Sequence, residues 1–166
     1  MKSGQSLSWT PAEIVTVLAR CALGALFIWM GLNKALDPVA FLKLLRQYDL
    51  TQTPLLLNCI AATLPWFEMF CGVLLLLGVA VRGTALALLL LLVPFTALVL
   101  HRALALHSAL DIPFCAVKFD CGCGEGAEFI CRKLAENVLL MLLAGWLLAG
   151  RGRRLCLRFS LTEPGQ

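Results

Sequence analysis

The sequence predicts an all-α integral membrane protein, a bundle of four spanning helices with both termini in the cytoplasm and a cysteine-rich extracytoplasmic loop between the third and fourth helices. Three observations carry that expectation. Of the 166 residues, 60% are hydrophobic and the mean hydropathy is +0.87, an apolar excess that lipid has to solvate because a single domain of this size has too little interior for it. Four stretches approach or exceed the length of about 20 mostly apolar residues that a helix needs to cross hydrocarbon with its backbone polar groups paired internally. Finally, the cluster Arg151-Gly152-Arg153-Arg154 abuts the last of these stretches, and concentrated cations next to a span mark the cytoplasmic side.

The first stretch covers residues 14–32. It is longer than the apolar region of a cleaved signal peptide, and Gly31-Leu32-Asn33-Lys34 offers no small-residue cleavage site, so it reads as a signal anchor. In the connection that follows, Asp37-Pro38 precedes Val39, Phe41, Leu42, Leu44 and Leu45, a helix start with an N-cap and proline in the first turn. Two readings stay open there, a short amphipathic helix on the outer membrane surface and a compact loop packed over the bundle.

The second and third stretches cover 55–81 and 84–106. The Arg82-Gly83 pair between them is short enough to make the two a helical hairpin. The fourth, 134–149, is shorter and has a polar first turn. The whole chain, 1–166, reads as a single transmembrane domain without a soluble domain, repeat or low-complexity linker. Lys2, Arg82, Arg151, Arg153, Arg154 and Arg158 then face the cytoplasm, while Lys34, Lys43, Arg46, Arg102, Lys118, Arg132 and Lys133 lie on the other side, mixed with acids. The net charge of +4 is accounted for by helix ends and implies no nucleic-acid partner. The partner these features imply is the lipid bilayer, and the location is the inner (plasma) membrane, crossed several times.

Four of the eight cysteines, Cys115, Cys121, Cys123 and Cys131, fall in one short stretch with Pro113, Gly122, Gly124 and Gly126. This composition reads as a tight turn, with the fourth helix starting near Ala127 so that Glu128, Cys131 and Arg132 stand at the membrane surface. Outside the cytoplasm such neighbouring thiols pair or exchange disulfides. Cys121 and Cys123, separated by one glycine, close only a small strained ring, which makes their disulfide easily reduced. A helix starting just beyond Gly124, with Arg132 and Lys133 nearby, would favour the Cys123 thiolate. Cys121, Cys123, Cys115 and Cys131 are therefore the candidate catalytic residues, the last two as a relaying or structural pair.

Two other readings compete, a static stapled loop and a soft-metal site. The spacing C-x5-C-x-C-x7-C lacks the C-x2-C knuckle of common zinc sites, and no metal is assigned. Cys21 and Cys71, inside apolar helix, read as packing residues, and Cys59 lies where it could meet the loop thiols.

Arg20 and Glu68 are charges inside spans and sit at similar depth measured from the helix centres, so they are expected to pair. The alternative has Arg20 snorkelling and Glu68 protonated. Pro65 and Pro94 interrupt their helices, and kinks around a small cavity would suit a quinone, with Arg20 and Glu68 as the cofactor-binding candidates.

The chain resembles the DoxX-like superfamily and, within it, the MauE (methylamine utilisation) branch. The likeness is carried by Arg20-Cys21-Ala22-Leu23-Gly24-Ala25-Leu26-Phe27, by Gly31-Leu32-Asn33-Lys34 with Asp37-Pro38, by Leu64-Pro65-Trp66-Phe67-Glu68 leading to Gly72 and Gly78, and by Asp120-Cys121-Gly122-Cys123-Gly124 with Glu136-Asn137 opening the last helix. The resemblance implies a four-helix membrane protein in thiol redox work that supports disulfide formation in an exported client protein, usually with a thioredoxin-like extracytoplasmic partner. The resulting expectation is a membrane component of thiol-disulfide exchange that passes reducing equivalents between that partner and the membrane, through quinone. Its rivals are a non-catalytic assembly or anchoring protein and soft-metal binding or transport by the loop thiols.

Overall fold

The computed structural model describes residues 10–48, 53–120 and 126–150. Among these the chain is mostly helical, with five α-helices and one short hairpin. The arginine cluster behind the expected orientation, together with Lys2, lies outside the described residues.

Helix α1, Pro11–Leu36, begins with a reciprocal cap. The Thr10 hydroxyl accepts from the Glu13 N–H, the Glu13 carboxylate accepts from the Thr10 N–H, and Pro11 opens the first turn. It runs four residues past the expected end because nothing stops it before Asp37, which the following proline disfavours from helical backbone. Asp37 then caps the next helix, its carboxylate accepting from Ala40 N–H at 2.9 Å. That helix, α2 (Pro38–Gln47), buries Phe41 and Leu45 against Leu57 and Ala61. The segment is thus a helix as the first reading had it, and it packs over its neighbours as the second had it.

Helix α3, Pro54–Leu77, ends on Gly78, whose left-handed backbone (φ 69°) lets Val79 N–H reach back to the Leu74 carbonyl. Helix α4, Val81–Leu110, follows after three residues. The turn therefore lies at Gly78–Ala80 and corrects the expectation at Arg82-Gly83, both of which sit in the first turn of α4. Gly78 adopts positive φ without steric cost, so the chain turns there first.

Strands β1 (Lys118–Asp120) and β2 (Ala127–Phe129) pair antiparallel, Lys118 opposite Phe129 and Asp120 opposite Ala127. Helix α5, Ile130–Ala149, starts directly after β2. The expected helix start near Ala127 is thus corrected by one turn: residues 127–129 continue a ladder that Ile130 N–H extends to the Val117 carbonyl at 3.1 Å.

Helices α1 and α3 pack most extensively, as do α4 and α5. Arg82 Nε donates to the Leu148 carbonyl at 2.9 Å and Trp146 Nε1 to Thr16 Oγ1 at 3.2 Å. These bonds gather the starts of α1 and α4 and the end of α5 at one end of the molecule. The opposite end holds the last turns of α1, helix α2, the start of α3 and the hairpin. Leu23, Phe27, Leu75, Leu88 and Leu147 form one core along the helices, while Val99, Val117 and Ile130 form another under the hairpin.

Among the described residues, α1, α3 and α4 are long and apolar enough to cross a membrane. Trp29, Trp66, Phe70 and Leu90 point away from the core, a placement that suits lipid rather than water. Helix α5 carries Arg132, Lys133 and Glu136 in its first two turns, and its apolar run is correspondingly short.

Candidate functional site

Glu68 of α3 is paired with Lys34 of α1. Lys34 Nζ lies 2.5 and 2.7 Å from the two carboxylate oxygens, and both residues are buried, at 6% and 4% exposure. This corrects the expected Arg20–Glu68 pair. The reason is the register of the two antiparallel helices, in which Gly24 faces Gly72 and Gly31 faces the Pro65 carbonyl. Glu68 is then level with the turn around Ile28, and side chains on a helix lean toward its N-terminus. Lys34, beyond that level, leans back toward Glu68 while Glu68 leans forward to meet it. Arg20 lies about 12 Å away along the axis at about 1.5 Å per residue and leans in the opposite direction. Arg20 is itself buried in α1.

The pair borders a cavity of about 310 Å³ enclosed by α1 to α5. Its walls are mainly apolar, among them Phe27, Phe41, Leu64, Pro94 and Phe95. Polar side chains line it from three helices, Lys34, Glu68 and Asn137, and from Tyr48 at the end of α2. Asn137 is buried and donates through Nδ2 to Thr96 Oγ1 at 3.2 Å, joining α5 to α4. The Lys34 ammonium also lies 5.5 Å from the Phe41 ring centre, a cation–π distance.

A second cavity, of about 300 Å³, shares Lys34, Phe41 and Leu44 with the first and is bordered by Asp120 and Gly126. These two residues flank the segment that holds Cys121 and Cys123, which lie outside the described residues. The two ends of the thiol-bearing segment therefore stand at a cavity that reaches the buried ion pair.

Cys115 and Cys131 form a disulfide with Cα atoms 5.1 Å apart, closing the base of the hairpin. Cys21, Cys59 and Cys71 are free thiols, Cys71 buried in the core and Cys21 and Cys59 exposed on their helices. Exposure does not fit the packing role expected of Cys21, whereas Cys71 has it. No cluster of three or more His, Cys, Asp or Glu among the described residues could hold a metal.

The expected activation of Cys123 loses two of its supports. Helix α5 begins at Ile130, several residues beyond Gly124, and helix-end charge acts only within about a turn. Arg132 and Lys133 are engaged by acids: Arg132 Nε lies 2.9 Å from Glu136, and Lys133 Nζ lies 3.3 Å from Glu136 and 3.8 Å from Glu128. Their charge is largely compensated locally.

Lys34 and Asn137 are the site residues that sequence reasoning missed. Lys34 reads as an outer basic residue because it follows the apolar run. A usable signal is nonetheless present, since Phe27, Gly31 and Lys34 occupy one helical face at i, i+4 and i+7.

A family model described as "Methylamine utilisation protein MauE" matches residues 12–150. That span contains the ion pair, both cavities and the cysteine hairpin. Comparison with curated proteins and with solved structures finds no match.

Proposed function

The chain belongs to the methylamine utilisation protein MauE family and is a membrane protein, and from that premise we propose that it is an inner-membrane component of extracytoplasmic thiol-disulfide exchange. In this reading α5 is a fourth span, the whole chain is one transmembrane domain, the termini are cytoplasmic, and the hairpin faces outward. The kinship with the DoxX-like superfamily belongs to the same proposal.

A single arrangement carries the reading. The hairpin is held by the Cys115–Cys131 disulfide, and Asp120 and Gly126, at the ends of its Cys121–Cys123 segment, border a cavity that also touches Lys34. Both described ends of the segment that carries Cys121 and Cys123 thus stand beside the cavity that Lys34 borders, which supports a thiol pair working next to that site.

The exchange balances as follows. A thiolate of a thioredoxin-like partner attacks the Cys121–Cys123 disulfide and forms a mixed disulfide, and one cysteine of this chain leaves as a thiolate. The partner's second thiolate then resolves the mixed disulfide, so that the partner is oxidised and Cys121 and Cys123 are reduced. A lipid-soluble quinone, as the electron acceptor, would take up two electrons and two protons from Cys121 and Cys123, so that their disulfide is restored. The oxidised partner in turn forms a disulfide in an exported client protein.

A second reading, a non-catalytic anchor, draws on the same staple, which would hold a docking surface. The soft-metal reading is weakened because two of the four clustered sulfurs are bound to one another and carry no thiolate charge. Replacing Cys121 and Cys123 together with serine separates these readings. Loss of client oxidation with unchanged metal content supports exchange, and full retention of function supports the anchor.

A further inference from the structure

The cavity beside Lys34 and Glu68 is built for a particular shape of ligand. About 310 Å³ lies at the lower end of small-molecule pockets and accommodates one substituted six-membered ring. The walls favour a flat apolar body, since Phe27, Phe41 and Phe95 line it together with Leu64.

The polar groups specify the rest. Lys34 has three N–H donors, and the two oxygens of Glu68 take two of them, which leaves a third for an acceptor. Asn137 uses one amide hydrogen on Thr96 and carries a second. The ligand therefore needs acceptors. It also needs no net charge, because the ammonium and carboxylate already balance and an added ion would bear its burial cost uncompensated. Leu44, Leu64 and Leu91, only partly buried, line the same cavity, so its wall adjoins the lipid-facing surface.

We propose that this cavity binds the ring of a lipid-soluble quinone, with ring carbonyl oxygens accepting from Lys34 and Asn137 and the isoprenoid tail directed to lipid. The choice of a quinone over another uncharged ring with acceptors rests on the thiol-exchange reading, which requires a two-electron carrier in the membrane. The site itself rests on the cavity.

The test uses the full chain in lipid nanodiscs and an azido-benzoquinone carrying one isoprenoid unit. Photolabelling should saturate, be competed by the unmodified short-chain benzoquinone, and place adducts on cavity-lining residues of α1 to α4. Lys34→Met should weaken competition about tenfold or more, as expected for loss of a hydrogen bond from a charged donor, and Leu64→Trp should abolish it by filling the space. Cys121→Ser with Cys123→Ser should label like the parent protein. Labelling that never saturates, or adducts confined to outward-facing residues such as Trp29 and Trp66, would overturn the site, and this arm needs no variant to fold. Saturable labelling together with intact client oxidation in the double serine variant would keep the site and remove the thiol reading. Unsaturable labelling with client oxidation lost in that variant would do the reverse.

Discussion

Gly24 of α1 and Gly72 of α3 meet backbone to backbone: a Cβ on Gly24 would lie 2.9 Å from the Gly72 carbonyl oxygen, and one on Gly72 would lie 2.6 Å from that of Gly24. Small residues permit this approach, which in lipid replaces hydrophobic burial as the force between helices. The contact sets the register that brings Lys34 to Glu68.

Gly72→Leu should therefore separate α1 from α3. The expected cost is at least the ~1–3 kcal/mol of an overpacked core, because the opposing atom is backbone and cannot rotate away. Thermal unfolding in detergent should show a lowered Tm. An unchanged Tm would mean that the helices tolerate a wider spacing.

Removing one member of the buried pair leaves the other charge without its partner, which in buried pairs costs about 3–5 kcal/mol. Lys34→Met and Glu68→Met should each destabilise by that order, and the double substitution should cost clearly less than their sum, since it leaves no lone charge. Denaturant unfolding of the four proteins closes the cycle. Strict additivity would show that the two groups do not depend on one another.

Cys115 and Cys131, 16 residues apart, close a loop whose cross-link is worth about 3 kcal/mol in the chain-entropy account. Cys115→Ser should loosen the hairpin while sparing the α1–α3 contact. Hydrogen exchange should accelerate at the paired amides of residues 118–120 and 127–130, with α1 and α3 unchanged. Equal protection in both proteins would assign the hairpin's order to the burial of Val117 and Ile130 instead.

If Cys121 and Cys123 exchange disulfides, removing only the resolving cysteine should trap a covalent complex. Cys121→Ser and Cys123→Ser, expressed separately, should give a reducible adduct with a thioredoxin-like protein on non-reducing gels in one of the two. With α5 starting at Ile130, the helix end no longer singles out Cys123 as the more acidic thiol, so either variant is the expected trap. Two adduct-free variants that both retain function would favour the anchor.

Composition and apolar length by themselves determined that this chain is helical and lies in a membrane, because lipid imposes one simple requirement, about 20 apolar residues with internally paired backbone. Local signals were equally legible where the chemistry is local: Asp37-Pro38 ends one helix and caps the next. The turn at Gly78 and the strand at 127–129 were missed because neighbouring residues offered the same turn and helix chemistry, and the competition was decided by the ladder to Val117 and by left-handed backbone at Gly78. Which charge pairs with Glu68 was decided only by the tertiary structure. Depth along the sequence treats Arg20 and Lys34 as points on two rods, whereas pairing depends on the Gly24–Gly72 register and on the lean of each side chain, which carries Lys34 toward the carboxylate and Arg20 away from it.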